Sequence, residues 1–554
     1  MRHKNRLPET LPTGARRQTE LIRNFWRDTM REWLNNAVFY EIYPQSFCDT
    51  NADGIGDFEG IIRKLDYIQD LGCNAIWLNP CFDSPFVDAG YDIRDYYKAA
   101  PRYGTNEDLR RLFEEVHKKG MHIILDLVPG HTSEECKWFQ ESKKAEKNEY
   151  TDRYVWTNSI WEGFDGVDQI MGAIRGGTER DGACAANFFN AQPALNYGFA
   201  NPDPEKPWQQ PMDAEGPMAT REAIKDVMRF WLGLGCDGFR VDMAGSLVKS
   251  DPGQQGTIRL WQDFRQFLDK EFPEAVMISE WGQPDRSLLA GFHMDFLLHF
   301  GPSHYLDLFR VEHPYFAREG KGDCSTFFEL YENNRKLTDG KGLICIPSGN
   351  HDMIRMARTL DQEEMKLAFA FLLSMPGVPF IYYGDEIGEK YVEGLKSVEG
   401  GYERTGSRSP MAWDSTPNAG FSSAPKEMLY IAQDASVKEI NAAAQEKDPD
   451  SLLNAVKELN AVRRAHPALM NDGEFRLVEL EKNSYPLVYE REKDGQHVLV
   501  VLNPSGKEAV MKTQLPEAAK LIYAQGGMKE KEGLAQNEEG QYVVPAASAA
   551  FFEF

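Results

Sequence analysis

Residues 106–131, NEDLRRLFEEVHKKGMHIILDLVPGH, hold one complete unit of the fold. Apolar residues recur every three or four positions through residue 119, so one face of a helix is apolar and the other, acidic and basic, is solvated. Gly120 stands where a helix C-cap is expected. Residues 122–128 then switch to a nearly unbroken apolar run, the pattern of a strand covered on both faces. The run ends in polar residues, with Asp126 and His131 at its carboxyl end.

The same rhythm extends in both directions. Short β-branched runs lie at residues 38–43, 75–78, 238–242, 276–279, 343–346 and 378–382, and a second amphipathic helix at 220–234 closes at Gly235. About eight βα units fit between residues 36 and 465, which predicts an α/β chain folded as a (β/α)8 TIM barrel. Residues 133–211, rich in Gly, Asn, Trp and charge, interrupt the alternation after the third strand and read as an inserted subdomain. Beyond a helix at 451–466 the pattern changes to short alternating strands, predicting a C-terminal antiparallel β-sandwich over 467–554. The barrel itself takes residues 30–132 and 212–466. Met30 opens a stretch, MREWLNNAVFYEIYP, that reads like a natural start, so residues 1–29 are expected to form a flexible extension.

Composition narrows the function. A net charge of −24 repels polyanions, so nucleic acid is not the expected partner, and a neutral substrate fits better. Aromatic residues make up 12% of the chain, a composition suited to stacking on sugar rings. The eight cysteines show no CxxC spacing, which points to reduced thiols rather than a zinc site or a disulfide framework. The basic first thirty residues lack an apolar core segment, and no apolar run approaches the roughly 18 residues of a membrane span. A cytoplasmic protein is the expectation.

Four segments put polar residues at strand ends, where barrels of this kind place their chemistry: DLVPGH at 126–131, GFRVD at 238–242, ISEWG at 278–282 and GNHD at 349–352. In this order and spacing they resemble the signature regions of the α-amylase family, glycoside hydrolase family 13, over about residues 36–554. The resemblance implies that Asp242 is the nucleophile, Glu280 the general acid/base and Asp352 the third carboxylate, which binds hydroxyls and helps distort the ring. Arg240 shares a strand face with Asp242 and would hold it ionised, while His131 and His351 match the histidines that bond the sugar beside the scissile bond. Carboxylates about 5 Å apart make such a reaction retaining, through a covalent glucosyl-enzyme.

Two further segments bear on substrate. DAGYD at 88–92 resembles the family stretch whose tyrosine, here Tyr91, stacks on the sugar, and SRSPMAWD at 407–414 resembles the family's SRTPMQWD. In exo-acting members an aspartate and an arginine from these stretches pair and close the pocket, which implies an Asp88–Arg408 pair here. QPALN at 192–196 resembles the QPDLN of oligo-1,6-glucosidase and trehalose synthase relatives, with Ala194 a departure. Met243 departs from the Val, Ala or Thr usual after the nucleophile, so linkage preference stays open.

DTNADGIGD at 49–57 alternates oxygen donors with turn-forming glycines, the chemistry of a Ca²⁺ loop. The resemblance assigns side-chain ligands to Asp49, Asn51, Asp53 and Asp57 and a carbonyl ligand to Ile55, for one structural calcium. The amylase calcium asparagine that precedes the region-one histidine is Gly130 here, so a second site is not expected. The function these readings favour is a retaining exo-α-glucosidase on short neutral α-gluco-oligosaccharides, with possible outcomes of transglycosylation. A trehalose synthase or another α-glucosyltransferase acting on maltose or sucrose is the alternative. A non-catalytic carbohydrate-binding scaffold is disfavoured, because such chains lose catalytic carboxylates and this one keeps three.

Overall fold

A computed structural model describes residues 31–529 and 531–554; the expected extension at 1–29 lies outside them. Eight parallel strands form one sheet: β1 Phe39–Ile42, β2 Ala75–Leu78, β3 His122–Leu127, β4 Gly238–Val241, β5 Val276–Ser279, β6 Met294–Phe296, β7 Leu343–Cys345 and β8 Phe380–Tyr382. They run in chain order around the sheet, β8 pairs with β1, and a bridge between Pro347 and Phe380 joins the two edges into a barrel.

Side-chain alternation divides each strand between two cores. Phe39, Ile124, Val276, Met294 and Phe380 fill the barrel interior, and Phe39 stacks on Phe380 with ring centroids 4.5 Å apart. Their neighbours Tyr40, Ile42, Ile76, Leu78, Ile123 and Leu125 face outward against the helices. Emptying one of the interior rings, as in Phe39→Ala, costs about 3–5 kcal/mol. Towards the carboxyl ends the interior positions turn polar, with Glu41 beside Trp77 and Asp126 beside Arg240 across the ladder. This change of layer creates the site.

The helices stop where their local chemistry dictates. Thr105 and Asp108 form a capping box ahead of helix Asn106–Lys118, and Gly235 closes helix Glu215–Leu234 with a left-handed φ of 116°. The inserted segment after β3 carries a helix at Lys137–Ser142, a short hairpin of Gly172–Ile174 with Cys184–Ala186, and its own apolar cluster around Val155, Phe164, Phe199 and Trp208. At the C-terminus, five antiparallel strands pack over a three-stranded sheet through Val488, Val501, Met511, Val544 and Phe552. No helix among the described residues is long and apolar enough to cross a membrane.

Strand β6 escaped the apolar-run reading. It is three residues long, and Asp295 interrupts it. That carboxylate is fully buried and accepts the Ser279 hydroxyl at 2.7 Å and the Gln283 backbone N–H at 2.9 Å, so it braces the loop that follows β5.

Candidate active site

The strand ends converge on a cavity of about 370 Å³. Behind Asp242 and Glu280, which line it, lies Arg240, 1% exposed, whose Nη1 donates to Asp126 Oδ1 at 2.6 Å and to Asp242 Oδ1 at 3.2 Å, while its Nη2 lies 2.7 Å from Glu280 Oε1. One cation therefore serves three buried carboxylates, and the cluster carries excess negative charge unless it holds protons. Burial pushes Asp126 up to about 6 against the pull of Arg240. Burial and then the Glu280 carboxylate push Asp242 well above its ordinary range. Trp77 Nε1 and the Tyr91 hydroxyl satisfy Asp126 Oδ2 at 2.9 and 3.3 Å. Glu280 Oε2 accepts the Met243 backbone N–H at 3.0 Å. Met243 makes that bond from a left-handed φ of 44°, a costly conformation for a side chain of this kind.

At the inner end, Asp352 Oδ1 accepts one N–H from Arg404 and one from Arg408, each at 2.9 Å. Burial alone would raise Asp352, but His351, Arg404 and Arg408 hold it well below the usual carboxylate range. His351 is fully buried between Glu41, 3.0 Å from its Nδ1, and the Tyr91 hydroxyl, 2.7 Å from its Nε2. Burial lowers both His351 and His131 to about 3, so each presents a neutral ring.

The Asp88–Arg408 pair expected from the sequence is not formed. Arg408 is committed elsewhere: its Nε donates to the His351 carbonyl at 2.9 Å, its guanidinium lies over the Tyr43 ring, and it is 2% exposed. Arg404, four residues earlier and 24% exposed at its side chain, reaches Asp88 at 3.7 Å instead. Asp88 is completed by the Gln192 amide at 2.7 Å, and burial pushes it up to about 6. Arg404 and Gln192 are thus part of the inner wall. Gln192 lay within the QPALN segment, and Arg404 was signalled only by a second arginine one turn before Arg408.

His131 donates from Nε2 towards the Tyr91 carbonyl at 3.2 Å, and the Asn187 amide meets its Nδ1 at 3.1 Å. A side chain at Gly130 would come within 2.7 Å of that same amide, so the glycine makes room for Asn187. The mouth is different in kind: Phe188 and Phe300 are 40% and 41% exposed, and Trp281, His299 and Gln283 line the wall beside them.

The 49–57 loop lies apart from the cavity. Asp49 accepts the N–H groups of Asn51, Ala52 and Gly54 at 2.8–3.0 Å, Asn51 accepts that of Asp53, Asp53 that of Ile55, and Asp57 caps the next helix at Gly60. Among the described residues no three His, Cys, Asp or Glu side chains are grouped closely enough to form a metal cage. The donors are nevertheless all oxygen, and a carboxylate that accepts backbone N–H groups keeps further lone pairs for a hard cation.

Residues 41–472 match the family model described as the α-amylase catalytic domain. A trehalose synthase/amylase from Mycobacterium tuberculosis is 34% identical over 524 residues, covering 85% of this chain and 82% of that protein. An oligo-1,6-glucosidase from Heyndrickxia coagulans is 30% identical over 547 residues, covering 86% and 93%. Among solved structures, the trehalulose synthase MutB from Pseudomonas mesoacidophila superposes with a TM-score of 0.77 at 25% identity, covering 94% of this chain and 99% of that one. With the barrel, the strand-end carboxylates and these likenesses taken together, the chain belongs to the α-amylase family.

Proposed function

We propose that this enzyme is a retaining, exo-acting α-glucosidase on short neutral α-glucosides. The observation that carries the reading is the inner wall: Asp352, Arg404 and Asp88 line the cavity with the carboxylate pair and are tied to one another, with Gln192 behind Asp88, an arrangement that would stop a chain past its terminal glucose. Asp242 attacks the anomeric carbon. Glu280 protonates the departing oxygen and then, as a carboxylate, takes the proton of the incoming acceptor. Contact of both carboxylates with one guanidinium suits a double displacement, which uses carboxyls about 5 Å apart rather than the roughly 6.5–9.5 Å of inversion. Attack needs Asp242 ionised, a state that its burial opposes and the Arg240 guanidinium favours. Ionised Asp352 would accept from the hydroxyls, while neutral His131 lines the cavity and neutral His351 orients Tyr91 beside it.

The trehalose synthase reading has its own support, since the M. tuberculosis relative exceeds the oligo-1,6-glucosidase in identity, 34% against 30%. In that reading the released glucose turns within the pocket and becomes the acceptor. Incubation with maltose, isomaltose, sucrose and trehalose, with products resolved over time, separates the two. Glucose from maltose or isomaltose without trehalose supports hydrolysis. Conversion of maltose to trehalose with little free glucose replaces it by isomerisation, and no turnover of any of the four sinks both.

Asp49, Asn51, Asp53, Asp57 and the Ile55 carbonyl would hold one calcium that stiffens the loop after β1 and takes no part in the chemistry. Chelation is expected to lower the melting temperature by several degrees, and added Ca²⁺ to restore it. Metal analysis finding no calcium, with melting unmoved by chelator, removes this assignment.

A further inference from the structure

Seven residues past Asp242 lies a lysine that the chemistry above does not use. Lys249 is 0% exposed, and among the described residues it has no carboxylate partner. Its three N–H donors go to three neutral acceptors: the Gln169 carbonyl at 2.9 Å, the Ser246 carbonyl at 2.8 Å and Asn187 Oδ1 at 3.4 Å. Gln169 and Asn187 come from the inserted segment and Ser246 from the loop behind the nucleophile. The Lys249 backbone repeats the connection, donating to Gly198 at 3.0 Å and accepting from Ala200 at 2.9 Å.

Two features tie this junction to the pocket. Gln169 and Ser246 both line the cavity, and the bond to Asn187 Oδ1 leaves the amide NH₂ to meet His131 Nδ1. The loop it anchors is also strained, with left-handed φ values at Met243, Ser250 and Gln254 of 44°, 49° and 53°, facing Gln169 at 69°. An ammonium buried without a counter-ion is an expensive way to fill volume.

We propose that Lys249 is a positioning residue whose charged ammonium clamps the inserted subdomain to the nucleophile loop and so holds the cavity wall and His131 in place for the sugar; this rests on the glucoside-site reading above. A neutral amine has only two N–H donors and must release one of the three acceptors. Burial lowers Lys249 to about 7, and His131, itself neutral, is the titratable neighbour that feels its charge. An unfolded lysine titrates near about 10.4. Between those values the unfolded chain binds the extra proton, so this group's contribution to stability rises with pH while the clamp weakens. Sugar binding and global stability should therefore move in opposite directions.

The test compares the native protein with Lys249→Met at pH 6 and pH 9, using maltose turnover and calorimetric titration with S-linked thiomaltose, a neutral uncleaved analogue. The variant is expected to raise KM and weaken thiomaltose binding roughly tenfold at pH 6, the scale of one lost charge-assisted hydrogen bond, with kcat falling less. From pH 6 to pH 9 native binding should weaken relative to the variant's, which keeps only the change due to Asp88, and the native melting temperature relative to the variant's should rise. A variant with native KM and binding overturns the proposal, as does a ratio of native to variant binding that does not change with pH. If the variant does not fold, the native binding series read between pH 7 and pH 9, above the Asp88 titration, decides: weakening supports the clamp and constant binding overturns it. A native protein that binds thiomaltose but cleaves no α-glucoside defeats the glucosidase reading and leaves this one testable by binding.

Discussion

At the inner end of the pocket, Asp352 and Asp88 face the cavity already tied to Arg404, Arg408 or Gln192, and the histidines there are buried and neutral. At the mouth, His299, Phe300 and Phe188 offer exposed rings beside the buried Trp281. On the glucosidase reading the inner end would select one sugar strictly, because its hydrogen bonds are preorganised. On the same reading the mouth would hold its occupant by surface contact, which tolerates several leaving sugars or acceptors. Loss of function should therefore grow steeply from the mouth inward.

The largest effect belongs to the nucleophile. Asp242→Ala should lower kcat by roughly 10⁴-fold or more in initial-rate assays without lowering the melting temperature, since it removes a carboxylate that burial disfavours. Next comes the contrast between the two arginines. Arg408→Ala strips a fully buried cation from Asp352 and should reduce kcat/KM by about 10²-fold or more, whereas Arg404→Ala, at a partly exposed group, should cost nearer tenfold and allow slow internal cleavage of maltotetraose. Equal losses would mean that the two arginines order Asp352 alike and that burial of Arg408 makes no difference.

The third test uses pH. Asp88 gains its charge as pH rises through about 6, and only the charged form attracts Arg404, so kcat/KM should climb over that interval. Asp88→Asn should remove this limb; a limb that stays in place assigns it to another group. The smallest effect lies at the mouth: Phe300→Ala should leave glucose release within about threefold, the size of one half-exposed ring, while shifting the ratio of transfer to hydrolysis.

The same division governs what the sequence discloses. Strand-end motifs are local, since residues two apart on a strand share a face, so Arg240 beside Asp242 could be read directly. The partner of Asp88 could not, because two arginines one turn apart compete for it and the choice depends on Tyr43 and the His351 carbonyl, distant in sequence. Strand β6 was hidden by Asp295, whose burial makes sense only once the loop it braces is seen. Asn187 and Lys249 lie in or against the inserted segment, where no periodicity marks a side chain as inward.

The most direct test of the central claim is trapping with 5-fluoro-α-glucosyl fluoride, followed by proteolysis and mass spectrometry. The account predicts a fluoroglucosyl ester on the peptide containing Asp242, formed in step with inactivation and absent from Asp242→Ala. Turnover of α-glucosides with no such ester, or an ester on a different carboxylate, would contradict it.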